Sequence, residues 1–506
     1  MTLRRRAALA LASGGVLALG APPLSWWPVV FVSLALLATA WDGARPREAF
    51  VLGWIAGTAA TLGAFYWIVG TVTRFTPLPT IAAVLAYALL SAAAGLTLAC
   101  AGLLASGATR VIGFPASAAL AVVVVERYAP SVFPWQLASP LISAPWIRQG
   151  ADVLGVSGLG AVLLAVLAVG VGAVSRAGTH PGPARPGALQ VAVAGTVFIA
   201  LWVYGGVRTG QVERETARAP ALHVALVQPA IPPTVRWDEQ NFGDITRTLH
   251  EQAWAGMRDH ADLVVWSEGA FPYPLPMRAG HDGDGAERIF PWPATAPILV
   301  GAVVLDDRGQ RFNGALIREA DGRRGMPVAK RVLVPFGEYV PIVAQIAWVR
   351  RNFARVEGLT PGERPTMLTT ASGVRLGVLN CFEDTLGYVA ADLASADLLV
   401  NITNDAWFGD GAAPWQHLML ARWRSIETRR EMVRAVNTGV TGRVDALGRV
   451  VAHAAVGRRA TLMVDARRLS MRPVAPYVIR FAPPAAALLL ALAIGEGMRR
   501  ARGERA

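Results

Sequence analysis

Residues 330–338 read Lys330-Arg331-Val332-Leu333-Val334-Pro335-Phe336-Gly337-Glu338, and they hold the single lysine of the chain. The other 47 of its 48 basic residues are arginine. In so biased a composition arginine serves wherever positive charge alone is wanted. A lysine that persists marks a place for a compact ammonium, where a planar and permanently charged guanidinium will not do. The stretch between Lys330 and Glu338 is apolar and strand-like. Two charged residues bracketing such a run read as part of an active site.

Two further apolar runs deliver polar side chains at their carboxyl ends, the usual place for ligands in α/β sheets. Val264-Val265-Trp266-Ser267-Glu268 ends in a carboxylate that can act as a general base when shielded from water. Val378-Leu379-Asn380-Cys381-Phe382-Glu383-Asp384 turns at a thiol, and a thiol near a cation and a base is a nucleophile. Taken singly, each has a plainer reading: a glutamate that caps a turn, a cysteine that packs. The second cysteine, Cys100, falls in a charge-free run and reads as a small buried hydrophobe. The seven histidines show no ligand spacing, so neither a metal nor another cofactor is expected.

Around these residues the composition is that of an α/β domain, residues 221–470. Its strand-like runs are Leu222–Val227, Leu263–Trp266, Ile298–Leu305, Gly314–Ile317, Val374–Leu379, Leu398–Ile402 and Val433–Val436. Amphipathic stretches at Phe242–Met257 and Gln416–Met432 read as helices. Two segments have a lipid-touching pattern. One is Val340–Phe353, with Trp348 beside Arg350 and Arg351; the other is the aromatic loop 407–415, with Trp407, Phe408 and Trp415.

The rest of the chain is built for a bilayer. The whole chain is 53% hydrophobic and 16% charged, against roughly 25% charged in soluble domains. Residues 49–73, 75–109, 111–125, 153–175 and 186–207 carry no charge, and 7–41 holds two more apolar runs divided at Pro22-Pro23. With Phe481–Ile494 the expectation is eight spans, seven before the α/β domain and one after. The division is then 1–209, a linker at 210–220, the domain at 221–470, a last span at 471–498 and a basic tail at 499–506. A second apolar run follows the first within a few residues, which favours a helical hairpin over a cleaved signal peptide. With a cytoplasmic N-terminus, Arg4, Arg5, Arg6, Arg45, Arg47, Arg110, Arg176, Arg185, Arg499, Arg500, Arg502 and Arg505 fall inside, against Arg74, Arg127 and Arg148 outside. That bias accounts for the net charge of +13 without a nucleic-acid partner, and it puts the α/β domain outside. Gly53 and Gly57 read as close helix packing, and Asn401-Ile402-Thr403 as a buried strand and no glycosylation site.

Glu268, Lys330 and Cys381, in that chain order, resemble the triad of the nitrilase (carbon–nitrogen hydrolase) superfamily. With spans before and after the domain, the chain is similar to that superfamily's membrane branch, the apolipoprotein N-acyltransferase family. The matching segments are Trp266-Ser267-Glu268, Lys330-Arg331 with Val334 to Pro341, Asn380-Cys381-Phe382-Glu383 and Thr403-Asn404-Asp405-Ala406-Trp407-Phe408. The resemblance implies an α-β-β-α sandwich joined to a polytopic helical domain. It implies Glu268 as base, Cys381 as nucleophile, and Lys330 with an amide near Phe382 as oxyanion donors. Glu338 would orient the lysine and the nucleophile, while Glu383 and Trp237 stand at positions important in the family. Trp407, Phe408 and Trp415 would meet substrate. The residue after the nucleophile, often tyrosine in this family, is Phe382 here, so no polar role goes to its side chain. The implied reaction is ping-pong. The sn-1 acyl chain of a phospholipid, phosphatidylethanolamine above all, would pass through a Cys381 thioester to the amine of a diacylglyceryl-cysteine on an apolipoprotein. The implied setting is the bacterial inner membrane, with a periplasmic catalytic domain, cytoplasmic termini and a monomeric enzyme. The alternatives are a membrane-anchored amidase that gives its thioester to water, a transporter with an inactive outer domain, and an inactive lipoprotein-binding module. Spans nearly free of ionisable groups weigh against the transporter.

Overall fold

The structure is a computed structural model that describes residues 1–76, 78–131, 133–175, 187–236, 238–283, 288–291, 293–335, 337–339 and 358–504. It divides into two compact units, Met1–Gln211 with Tyr477–Ala506, and Val212–Pro476.

In the first unit every expected apolar run carries a helix: Leu3–Ala18, Val29–Trp41, Pro46–Ala64, Thr80–Ile112, Phe114–Tyr128, Ala151–Ser175, Ala188–Arg218 and Ala475–Gly503. Three of them, of 16, 13 and 15 residues, fall short of the roughly 17–25 residues a span takes. Among the described residues four helices are long and apolar enough to cross alone, and a fifth if Pro46–Ala64 and Ile68–Phe75, bent by 64°, count as one span. The first two helices form a hairpin held by reciprocal bonds. Ser13 Oγ donates to Ser33 O at 2.8 Å, and Ser33 Oγ donates to Ser13 O at 3.0 Å.

Small residues set the helix contacts of this unit. A Cβ on Gly53 would lie 2.1 Å from the carbonyl oxygen of Leu98, and one on Gly102 would lie 2.3 Å from that of Ala49. Pro46–Ala64 and Thr80–Ile112 therefore touch backbone to backbone, which only glycine allows. Cys100 departs from the expectation of burial: it is exposed. The packed stripe of its helix runs through Gly95, Ala99 and Gly102, and Cys100 sits about 100° around the helix from Ala99.

The second unit is a sandwich of two sheets. In the larger, the strands run in the order Ala460–Arg467, Ala221–Gln228, Leu263–Val265, Ile298–Leu305, Arg311–Arg318, Arg323–Arg324 and Gly280–His281; Phe271–Pro276 pairs beside Ile298–Leu305 and Val328–Ala329 beside Arg311–Arg318. The second sheet runs Val450–His453, Gly442–Val444, Met432–Val436, Leu398–Thr403, Arg375–Asn380 and Met367–Thr369. The period-2 alternation of strands divides the core into layers. Val224 and Leu226 pack with Val378, Val400 and Val433 of the facing sheet, whereas Ala225 and Val227 pack with Ile245, Leu249 and Ala253 of the helix Phe242–Arg258. On the far side of the second sheet, Leu379, Leu399 and Met432 meet Leu418 and Ala421 of the helix Ala412–Thr428. The result is an α-β-β-α sandwich.

All seven expected strand runs are strands. The expected helix Gln416–Met432 instead spans Ala412–Thr428. Arg429 takes a left-handed φ of 49° and ends it, so that Met432 opens a buried strand. The loop expected at 407–415 is correspondingly shorter, because Trp415 is already helical.

Candidate active site

Glu268 and Cys381 follow buried strands, and Lys330 follows a half-buried strand of two residues. Leu263–Val265 runs in parallel beside Ala221–Gln228 and Ile298–Leu305 and releases Trp266, Ser267 and Glu268. The turn there is tight. Gly269 has φ +48°, and a Cβ on Gly301 would lie 2.3 Å from the carbonyl oxygen of Ser267. Arg236 closes it from outside, donating to the carbonyl oxygens of Glu268, at 3.1 Å, and Gly269.

The stretch 330–338 is no strand. Lys330 follows the two-residue strand Val328–Ala329, and the chain then folds back on itself. Extended, nine residues would separate their ends by about 26 Å. Here Glu338 N donates to Val334 O at 2.9 Å, and Glu338 Oε2 accepts from Val334 N at 2.8 Å and stands 2.7 Å from Lys330 Nζ. Pro335 and Gly337 favour the reversal, because proline fixes φ and withholds a ladder donor and glycine turns freely. On its other side Lys330 Nζ is 3.5 Å from Glu268 Oε1. With 1% of its surface exposed, this ammonium is kept charged by its carboxylates. Burial pushes it towards neutrality, and Glu268, Cys381 and Glu338 push harder the other way, so it stays above the ordinary lysine value.

Asn313, unremarked in the sequence, organises the group. From the strand Arg311–Arg318 its Nδ2 donates to Glu268 Oε1 and to Glu338 Oε1, both at 2.7 Å, while its Oδ1 accepts from Asn380 Nδ2 at 2.9 Å. Its backbone carbonyl accepts the Lys330 amide at 2.8 Å. One neutral side chain thus ties the two carboxylates to the residue before the thiol. Its only sequence signal is a polar residue at a buried position of a strand.

Cys381 opens the one-turn helix Cys381–Thr385 that follows Arg375–Asn380. Its φ of +52° lies in the left-handed region, strain of about 1–3 kcal/mol that surrounding structure must hold. The buried carboxylate of Glu383 holds it. Glu383 Oε2 accepts from Asn380 N at 3.1 Å, and Oε1 accepts from Arg331 N at 2.7 Å and Val332 N at 3.1 Å. Burial pushes the Glu383 carboxyl above its usual range, against Lys330 and these amides. The turn bearing the thiol and the segment after the lysine are thereby pinned to one group. Burial and the Glu268 charge raise the Cys381 thiol well above its ordinary value, and Lys330 opposes them. A resting thiol is therefore protonated and needs a base at the moment of attack.

Glu383→Gln tests this anchor. Its amide nitrogen faces at least one backbone N–H and leaves it without an acceptor, which costs about 1–3 kcal/mol. The expected result is a lower thermal midpoint together with slower alkylation of Cys381. An unchanged midpoint would mean that the turn holds itself.

The aromatic residues lie less centrally. Trp407 is 42% exposed at the end of the one-turn helix Asp405–Trp407, and Phe408 follows it half-buried. Trp415 packs against the helix-side core and meets the ring of His453 edge-on at 5.4 Å. Phe382 is half-buried, and its carbonyl accepts from Thr385 Oγ1 at 2.7 Å. Trp237 and the amphipathic stretch Val340–Phe353 lie outside the described residues.

Similarity to known proteins covers both units. Residues 13–169 match the apolipoprotein N-acyltransferase N-terminal domain, and residues 223–475 match the carbon-nitrogen hydrolase family. A Geobacter metallireducens protein named apolipoprotein N-acyltransferase is 32% identical over 462 residues, 88% of this chain and 86% of its own length. One of the same name from Azotobacter vinelandii is 31% identical over 98% of this chain and 96% of its own. With that similarity running the length of the chain, and a strand-end glutamate, lysine and cysteine in the hydrolase-like unit, the chain belongs to the apolipoprotein N-acyltransferase family.

Proposed function

We propose that this protein is a phospholipid:apolipoprotein N-acyltransferase working through a thioester on Cys381. The observation that carries the reading is the buried Lys330 ammonium between Glu268 and Glu338, joined through Asn313 and Asn380 to the turn of a protonated thiol. Glu268 takes the Cys381 proton as the sulfur attacks the ester carbonyl of a phospholipid. The tetrahedral oxyanion is stabilised by Lys330 and by an amide of the Cys381–Thr385 turn, whose first N–H groups have no partner within the helix. Collapse breaks the ester C–O bond, and Glu268 returns the proton to the departing lysophospholipid. The α-amine of a diacylglyceryl-cysteine then attacks the thioester. Glu268 accepts the amine's proton and passes it to the leaving thiolate, which leaves an amide and restores the thiol. Glu338 holds Lys330, and Glu383 holds the turn.

The finer reading is that phosphatidylethanolamine gives its sn-1 chain and that eight spans cross a bacterial inner membrane. The catalytic domain, 221–470, faces the periplasm, between seven spans within 1–209 with the linker 210–220 and a last span within 471–498. Both termini, including the basic tail 499–506, are cytoplasmic, as the arginine distribution asks. Trp237, Trp407, Phe408 and Trp415 contact the lipid substrates, and the enzyme acts as a monomer.

Intact-mass spectrometry of the detergent-purified protein with phosphatidylethanolamine, beside Cys381→Ser, tests the reading. The expected result is an acyl adduct on Cys381, labile to hydroxylamine and discharged by a diacylglyceryl-cysteine peptide far faster than by water. An adduct lost equally fast without peptide identifies a hydrolase, and a folded protein that forms no adduct defeats the proposal.

A further inference from the structure

Beside the reactive set lies a second buried group of charges. Asp384 is the fourth residue of the turn that begins at Cys381, and Asp405 opens the one-turn helix Asp405–Trp407 after the neighbouring strand Leu398–Thr403. Both carboxylates are fully buried, and the same two residues grip both. His417, from the helix Ala412–Thr428, places Nδ1 2.8 Å from Asp405 Oδ1 and Nε2 2.9 Å from Asp384 Oδ1. Arg434, from the strand Met432–Val436, donates through Nη1 to Asp384 Oδ2 and, at 2.7 Å, to Asn401 Oδ1; its Nη2 donates to Asp405 Oδ2 at 3.3 Å. Arg424 adds its field at Asp384 while pairing with Glu427 at 3.0 Å.

An ionised carboxylate only accepts hydrogen bonds, so two ring nitrogens that each face one must both carry a proton. His417 is by that geometry an imidazolium. Burial opposes its charge, and Asp384 and Asp405 outweigh burial and the repulsion of Arg434, which brings the ring to about 9. The four groups Asp384, Asp405, His417 and Arg434 sum to zero only in that state. The balance matters nearby, because the Asp405 charge already opposes ionisation of the Cys381 thiol.

We infer that His417 is a positioning residue for the nucleophile, clamping the Cys381–Thr385 turn to the Asp405–Trp407 segment and cancelling negative charge that would otherwise oppose thiolate formation. The inference rests on Cys381 being the nucleophile. It adds a role for a residue outside the Glu-Lys-Cys set, and it ties the turn that Glu383 anchors to the aromatic segment. Without the imidazolium the cluster carries one uncompensated negative charge beside the thiol.

The test is charge rescue in the full-length protein. Wild type, His417→Gln, Asp405→Asn and the double variant are compared by thermal midpoint, by the pH dependence of Cys381 alkylation with iodoacetamide, and by single-turnover adduct formation from phosphatidylethanolamine vesicles. His417→Gln is expected to raise the alkylation midpoint by about one pH unit and slow adduct formation about tenfold, one pKa unit being a factor of ten. Adding Asp405→Asn is expected to bring the midpoint back and restore most of the rate. Asp405→Asn alone is expected to lower the midpoint, which keeps the test decisive should His417→Gln fail to fold. A double variant as slow as or slower than His417→Gln, or an Asp405→Asn midpoint unmoved or raised, overturns the inference and leaves His417 as packing. Wild type that is alkylated at Cys381 but never acylated by phospholipid defeats the acyltransferase reading instead.

Discussion

Lys330→Arg is expected to lower the rate of Cys381 acylation about a thousandfold, the scale of losing one oxyanion donor, although it conserves charge. That loss is equivalent to about 4 kcal/mol of transition-state stabilisation. The ammonium sits at 1% exposure between two carboxylate oxygens at 2.7 and 3.5 Å. Its backbone cannot withdraw to admit a longer side chain. The Lys330 amide donates to Asn313 O at 2.8 Å, its carbonyl accepts from Gly362 N at 2.7 Å, and a Cβ on Gly362 would lie 2.4 Å from Ala329 O. A guanidinium forced in would bind Glu268 as a fork and occupy lone pairs needed for the thiol proton. Single-turnover adduct formation by intact mass, with the thermal midpoint as control, measures it. An arginine variant within tenfold of wild type would mean that the lone lysine survives by chance.

Glu268→Gln is expected to slow acylation by about a hundredfold to ten-thousandfold, the range for a positioned acid–base, while making the thiol easier to ionise. The two effects have opposite signs for one reason. The glutamine oxygen can still accept from Asn313 Nδ2, as Glu268 Oε1 does at 2.7 Å, so the site keeps its shape. The negative charge that raises the Cys381 thiol is gone, and Lys330, which lowers it, remains. Iodoacetamide, which consumes thiolate, should therefore react at a lower pH midpoint than in wild type. Slower acylation with an unmoved or raised alkylation midpoint would remove Glu268 from the role of base.

The difference between what was legible and what was not lies in the range of the forces. Val224, Val264, Val378 and Val400 belong to continuous apolar runs because their strands are buried on both faces, and such strands show in composition alone. The strand Ala460–Arg467 pairs antiparallel with Ala221–Gln228 over its whole length, yet it carries no clear signal in the sequence. It is half-exposed, and its partner lies more than 230 residues away. Likewise the helical runs of the first unit were plain from missing charge, but the lengths of its first, second and fifth long runs, 16, 13 and 15 residues, were set by turns and by Gly113 at φ +78°.

By itself the sequence singled out the candidates for chemistry: a unique lysine, and a glutamate and a cysteine each placed where an apolar run ends. Residue type and strand-end placement are local properties, fixed by side-chain chemistry and by the hydrophobic period. Only the tertiary structure decided that 330–338 folds back to set Glu338 against Lys330, that Asn313 joins both carboxylates to Asn380, and that His417 meets Asp384 and Asp405. These contacts bring together separate elements of two sheets and a helix. Burial supplies their physical reason: a charge taken out of water must find its partner wherever in the chain that partner lies.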